Sequence, residues 1–248
     1  MHYHFTINGM PVHAVYSKRS VEEIFLPLLQ HLTAMHRDKG RRILVMMAAP
    51  PGTGKTTLNM LLGHLSESDP ELTPIDAIGM DGFHYDRETL RGRSLLRDGV
   101  ELPLLQIKGA PETFDLQKLR RKIEQLCTGE DTTWPYYDRL AHDPVDDALR
   151  VTREIVLLEG NYLLLDEPGW RELRRYADYT IRIDAQEETL IPRLLERKAA
   201  TSGPPRAQVE AHVYGSDLPN ARRCLEKSFS ADLNLRMMQD GEYVRVRP

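Results

Sequence analysis

Lys55 and Thr56 follow two glycines in the run Arg42–Thr57, RILVMMAAPPGTGKTT. The spacing is that of a phosphate-binding loop. A-P-P-G-T-G-K-T fills every fixed position of G-x-x-x-x-G-K-[ST] except the first, where Ala49 stands. Such a loop turns successive backbone N–H groups toward phosphate oxygens, and a helix starting at its end adds partial positive charge. Pro51, Gly52, Thr53, Gly54, Lys55, Thr56 and Thr57 are therefore the candidate nucleotide-binding residues. Lys55 would reach the β- and γ-phosphates, and the Thr56 hydroxyl would ligate Mg²⁺.

Phosphoryl transfer to a hydroxyl also needs a base beside the acceptor, metal charge, and cations on the moving group. Asp81 directly follows a predicted strand, Ile75–Met80, so its carboxylate belongs in the cleft above the loop. It is the candidate base. The competing reading is an Asp-Gly turn residue. Glu159 ends a second apolar strand and would hold Mg²⁺ directly or through water. Arg193 and Arg197 stand four apart on a predicted helix, one face of a lid that clamps the γ-phosphate. The alternative is pairing with Glu187, Glu188 or Glu196. Gly203-Pro204-Pro205 reads as a hinge for that lid, which Arg206 would join.

The elements that must position these groups follow from periodicity. Ile43–Ala48 is a short apolar run, suited to a parallel strand covered on both faces. Glu154–Leu158 and Tyr179–Ile183 read likewise as strands. Helices are predicted over Thr57–Ser66, Asp115–Cys127, Glu187–Lys198 and Asn220–Ala231, with residues 93–106 irregular and Thr132–Tyr137 extended. Ahead of them, Tyr3–Ile7 and Val12–Tyr16 flank Asn8-Gly9, a hairpin signal. Ser20 and Glu23 form a possible capping box, and Pro27 starts or kinks the helix that follows. This front section, residues 1–38, reads as a cover for the sheet with no catalytic part, leaving 39–248 as the main domain with a lid at about 187–215. Leu235–Met238 and Tyr243–Val246 flank Asp240-Gly241, a final hairpin. Strands alternating with helices give an α/β fold with a mostly parallel sheet.

Composition narrows the function classes. The 248 residues carry a net charge of −4 and are 41% hydrophobic, enough for one sizeable core and no field that favours nucleic acid or an acidic membrane. No run approaches membrane-spanning length and the N-terminus lacks a signal-peptide pattern. Cys127 and Cys224 lie far apart, which fits a reduced, cytoplasmic setting with both as buried filler.

Two kinds of nucleotide-binding protein compete for these letters. PPGTGKT occurs in ring-forming ATPases, and Leu163–Pro168, LLLDEP, looks like the acidic strand of mechanical ATPases. However, Ile155–Glu159 is the better strand, and LLLDEP begins only four residues after it, too close for another parallel strand. Asp166 and Glu167 therefore belong to a loop. A non-catalytic nucleotide-binding regulator stays open as a third class.

The ordered set MDGFH, KGAPETFD, WPYYDRLAHDPVDDA and VLLEGNYLLLD, with the loop, resembles the phosphoribulokinase/uridine kinase/pantothenate kinase group of small-molecule kinases. Within it the chain is similar to the bacterial YggC-type proteins and their fructose-transport-system-kinase relatives, over nearly its full length. The resemblance implies a three-layer P-loop NTPase fold, ATP and Mg²⁺ as cofactors, and a small-molecule acceptor. It places the base on Asp81 and the metal-side acid on Glu159. Acceptor contacts fall on Tyr137, Asp138, Arg139 and His142, with His84, Lys108 and Asn161 as further candidates. Trp134, Tyr136 and Tyr162 are either pocket walls or core. The acceptor segments match neither the uridine nor the pantothenate pattern, so a sugar or nucleoside-like alcohol is the expectation. A homodimer is the default assembly.

Overall fold

The computed structural model describes residues 1–7, 10–97, 99–200 and 205–247. The Asn8-Gly9 turn, and Gly203 and Pro204 of the expected hinge, lie outside the described residues. In chain order the elements are β1 (His2–Ile7), β2 (Met10–Val15), α1 (Lys18–Ser20), α2 (Leu26–Lys39), β3 (Ile43–Ala48), α3 (Lys55–Ser68), β4 (Ile75–Gly79), α4 (Arg87–Gly92), β5 (Ser94–Arg97) and β6 (Val100–Pro103). They continue with α5 (Leu116–Leu126), β7 (Thr132–Asp138), β8 (Asp143–Val151), β9 (Ile155–Gly160), β10 (Tyr179–Ala185), α6 (Glu187–Ala200), α7 (Arg206–His212), α8 (Leu218–Lys227), β11 (Leu233–Met237) and β12 (Tyr243–Arg245).

Six strands form the central sheet in the order β12-β11-β10-β3-β9-β4, parallel except for β12. Every residue of β3 is buried. Its side chains split by parity: Ile43, Val45 and Met47 enter one apolar cluster, Leu44, Met46 and Ala48 the other. That division is why the run is continuously apolar, with no polar residue at alternate positions. Leucines of α2, α3 and α6 close the first face, whereas α5 and Leu163–Leu165 close the second. On α5, Leu119, Ile123 and Leu126 make the buried stripe, and Asp115 caps the helix by accepting from the Lys118 amide at 2.8 Å.

Several expectations are corrected. The expected C-terminal hairpin is present as β11–β12, and the addition is that β11 also runs parallel to β10 inside the main sheet. Residues 93–106 contain the antiparallel pair β5–β6. Asp143–Val151 is a strand paired with β7, hidden in the sequence by its polar, mostly exposed residues. Ser17, not Ser20, caps the first helix by accepting from the Ser20 amide at 2.9 Å. The Ser20 hydroxyl instead donates to Glu242. Cys224 is buried but Cys127 is exposed.

The LLLDEP stretch is not a strand of the sheet. Leu163, Leu164 and Leu165 are fully buried, and Glu167 is clasped by Arg223 of α8, whose Nε donates to Glu167 Oε1 at 2.9 Å. Arg223 also reaches Glu112 at 2.9 Å, and Lys227 donates to Glu167 at 3.1 Å. The Arg223 hydrogen bonds hold the Glu167 carboxyl below the usual carboxylate range, against the opposing effect of burial. A lowered folded-state pKa contributes stability above the unfolded value and loses it as pH falls. Glu167→Gln is therefore expected to lower stability by about 1–2 kcal/mol at pH 7. Urea unfolding should show that gap closing below about pH 4. A gap unchanged at low pH would contradict the pairing.

Candidate active site

The strand ends of β3, β9 and β4 lie side by side, with Met47 opposite Glu159 and Glu159 opposite Gly79. This register sets the phosphate loop, Glu159 and the turn carrying Asp81 along one edge of the sheet. The loop after β3 has Gly52 and Gly54 at φ of 89° and 77°, a region costly for residues with a Cβ. They deliver the chain to the start of α3, where the first N–H groups have no partner within the helix. Lys55 is buried there. The Thr56 hydroxyl donates to Glu159 Oε1 at 2.8 Å. Glu159 Oε2 is buried without a hydrogen-bond partner. An orphaned carboxylate oxygen beside a hydroxyl suits a hard cation, and glycine-cradled amides next to a lysine suit a polyphosphate. The residues thus fit Mg²⁺ and a nucleoside triphosphate. No helix-face or loop cluster of three or more His, Cys, Asp or Glu gathers as a metal cage among the described residues, and Mg²⁺ commonly relies on phosphates and water for its remaining ligands.

Asp81 lies in a tight 3₁₀ turn, Met80–Phe83, directly after β4. The neighbouring Gly82 has a physical reason: a Cβ there would collide with the backbone of Pro135 and sit 2.8 Å from the Tyr136 nitrogen. Strand β7 passes that closely because Trp134 donates its indole N–H to the Gly79 carbonyl at 2.8 Å. Gly82→Ala is expected to cost about 1–3 kcal/mol by overpacking and to move Asp81 off its line. Turnover should fall at least about tenfold with nucleotide affinity preserved. Unchanged turnover would show that the Asp81 turn tolerates displacement.

Burial alone would raise the Asp81 carboxyl, but His84 and the cations Lys55, Arg139 and Arg197 outweigh it and hold it below the usual range. Burial pushes Glu159 the other way, with the Asp81 charge adding to it. Two acids in one site are thereby driven apart, the pattern that separates an ionised base from its neighbour. His84 presents Nδ1 to the Asp81 carbonyl at 2.8 Å, so that nitrogen carries the proton and Nε2 remains an acceptor. Burial also keeps this imidazole below its ordinary pKa, hence neutral at pH 7.

One cavity of about 690 Å³ joins these groups. Pro51, Gly52, Gly54, Lys55, Thr56 and Thr57 line it from the loop; Asp81, His84, Arg139 and Asn161 line it from the other strand ends; Arg193 and Arg197 line it from α6. Arg193 Nε donates to the Gly52 carbonyl at 2.7 Å, and Arg197 pairs with Asp217 at 3.3 Å. Among the described residues, Glu187 pairs with Arg222. Arg206 is exposed and bonded to Glu210, outside the cavity lining.

Other predicted residues stand apart. The Thr53 hydroxyl turns inward to the Pro50 carbonyl. Lys108 is spent on Tyr137 Oη at 2.6 Å and the His142 carbonyl at 3.2 Å, and Asp138 accepts from the amides of Leu140 and Ala141. His142 is exposed at the tip of the β7–β8 turn, with φ of 58°. These three close the acceptor-side loops and do not line the cavity. Trp134 and Tyr162 are fully buried core. Tyr136 and Tyr137 line a second cavity of about 400 Å³, which meets the first at Ile7, Thr56 and Asp81. Its walls are largely apolar and carry no lysine or arginine. Sequence reasoning missed Asn220 and, above all, Ile7, Pro11 and Val12, since the N-terminal hairpin reaches the cleft. Nothing in its alternating pattern says which neighbour its inner face covers.

Residues 44–243 match the family model described as "Phosphoribulokinase / Uridine kinase family". The chain belongs to the phosphoribulokinase/uridine kinase family. Its similarity extends beyond that span to "Uncharacterized protein YggC" of Escherichia coli (strain K12), 42% identical over 239 residues and 96% of each chain. It is also similar to a pantothenate kinase of Halalkalibacterium halodurans, 29% identical over 201 residues, 71% of this chain and 61% of that one. Among solved structures, the "putative fructose transport system kinase from Silicibacter sp. TM1040" superposes with a TM-score of 0.72 at 33% identity, covering 83% of this chain and 98% of the other. Membership of this kinase family accounts for the phosphate loop and the α/β architecture together. No helix among the described residues is long and apolar enough to cross a membrane.

Proposed function

We propose that this protein is an ATP- and Mg²⁺-dependent phosphotransferase acting on a hydroxyl of a small metabolite. The observation that carries the reading is the convergence of Lys55, Thr56, Asp81, Arg193 and Arg197 on one cavity, with Glu159 bonded to Thr56 behind it. ATP would supply the phosphoryl group, and Thr56 and Glu159 would hold a Mg²⁺ that offsets its charge. Lys55 and the two arginines set positive charge along the phosphates. Asp81 accepts the acceptor's hydroxyl proton, its ionised state maintained by the cations around it. His84, Arg139, Asn161 and Asn220 line the same cavity as Asp81. Asn161 Oδ1 is buried there without a hydrogen-bond partner. Donors and acceptors of this kind recognise a polyhydroxylated body, so a sugar or nucleoside-like alcohol is the proposed acceptor class.

The test is a panel of sugars, sugar alcohols, nucleosides and vitamins scored for ADP release. Acceptor-dependent ADP formation supports the kinase reading. ADP release that needs no acceptor and comes with hexamer formation would point to a mechanical ATPase. Sizing in the same buffer also tests the homodimer that symmetry favours. A cytoplasmic setting, where ATP is available, goes with this proposal.

A further inference from the structure

A third cavity of about 280 Å³ adjoins the phosphate loop. It shares Val12, Gly54, Thr57 and Arg193 with the main cavity and no residue with the cavity behind Asp81. The main cavity, with the phosphate loop on its wall, therefore adjoins both of the others. A triphosphate on Lys55 with its transferable end toward Asp81 would have this third compartment within reach of its nucleoside.

We propose that the N-terminal hairpin is a nucleotide-recognition element, with the main chain of β2 walling the compartment that takes the base. This rests on the phosphotransfer reading above. Val12, His13, Ala14, Val15 and Tyr16 all line the compartment. Val12–Val15 belong to β2, and side chains of consecutive strand residues point to opposite faces, so what these four share is their backbone edge. Among the described residues β2 pairs only with β1, which leaves its second edge with N–H and C=O groups to offer. Such an edge matches the donor and acceptor groups on the rim of a nucleobase. Across the compartment, Arg193 is held by its bond to Gly52, and its planar guanidinium can stack on a ring. The Tyr243 hydroxyl donates to the Thr53 carbonyl at 3.1 Å, which ties the C-terminal wall to the loop. Ala14 and Tyr16 are buried in the core, so the wall is anchored. The hairpin precedes residue 44, where the family match begins, so this wall is a feature of the chain outside the shared kinase core.

Hydrogen exchange of the full-length protein with Mg²⁺ tests this, comparing the non-hydrolysable analogue AMP-PNP with inorganic tripolyphosphate. Both should slow exchange across residues 50–58. Only AMP-PNP should slow it across residues 11–16, by on the order of tenfold. Protection of 50–58 by AMP-PNP without protection of 11–16 would overturn the wall and leave the phosphotransfer reading intact. No protection at 50–58 by either would overturn both. In parallel, Val12→Trp should weaken AMP-PNP at least about tenfold and tripolyphosphate by less than about threefold. Equal weakening of the two would count against base recognition.

Discussion

Asp81→Asn is expected to lower kcat by about two to four orders of magnitude while AMP-PNP binds within about threefold of wild type. The substitution keeps the shape of the side chain and removes its capacity to take a proton. Asp81 lies at the junction of two cavities, in a turn fixed by the close passage of β7 past Gly82. The change therefore leaves the phosphate loop alone. Lys55, Arg139 and Arg197 hold the wild-type carboxyl ionised, so the lost negative charge cannot weaken an anionic nucleotide. Steady-state kinetics beside calorimetric AMP-PNP titration separates the two effects. Near-normal turnover would remove Asp81 from the base role.

Lys55→Ala should abolish measurable phosphorylation, a loss of at least about three orders of magnitude in kcat/KM. Lys55 is the buried cation at the start of α3, and it also moderates both Asp81 and Glu159. Its removal takes charge from the phosphates and leaves two neighbouring acids less compensated. Nucleotide affinity should fall as well, unlike in Asp81→Asn. Circular dichroism establishes that the variant folds. Retained phosphorylation by a folded Lys55→Ala would mean that the phosphates bind elsewhere.

The parts of this site that were legible in the sequence are those whose geometry is local. Gly52, Gly54, Lys55 and Thr56 form a bend and a helix start within one short segment, so spacing alone specified them. Asp81 and Glu159 stood at the ends of apolar runs, and parallel strands bring their ends to one edge. What stayed hidden depends on pairing between distant segments. Strand β8 is polar and mostly exposed, so no alternation betrays it. Leu235–Met238 gave a strand signal, but only the register of β11 against Ile181–Ala185 places it in the main sheet. Lys108 had suitable chemistry, yet it is engaged by Tyr137, a neighbour that sequence spacing cannot show, whereas Asp138 closes a local turn onto the amides of Leu140 and Ala141. The acids of LLLDEP imitated a metal-binding strand, whereas Glu167 serves Arg223 and Lys227. The N-terminal hairpin was visible as a hairpin, and its position against the loop was not.

The most direct test of the whole account is a crystal structure with AMP-PNP and Mn²⁺, the metal located by its anomalous signal. The β- and γ-phosphates are expected within hydrogen-bond distance of Lys55 and the metal peak between Thr56 and Glu159, with Asp81 facing the γ-phosphate. A nucleotide bound away from the Gly52–Thr57 bend, or a metal remote from Thr56 and Glu159, would contradict it.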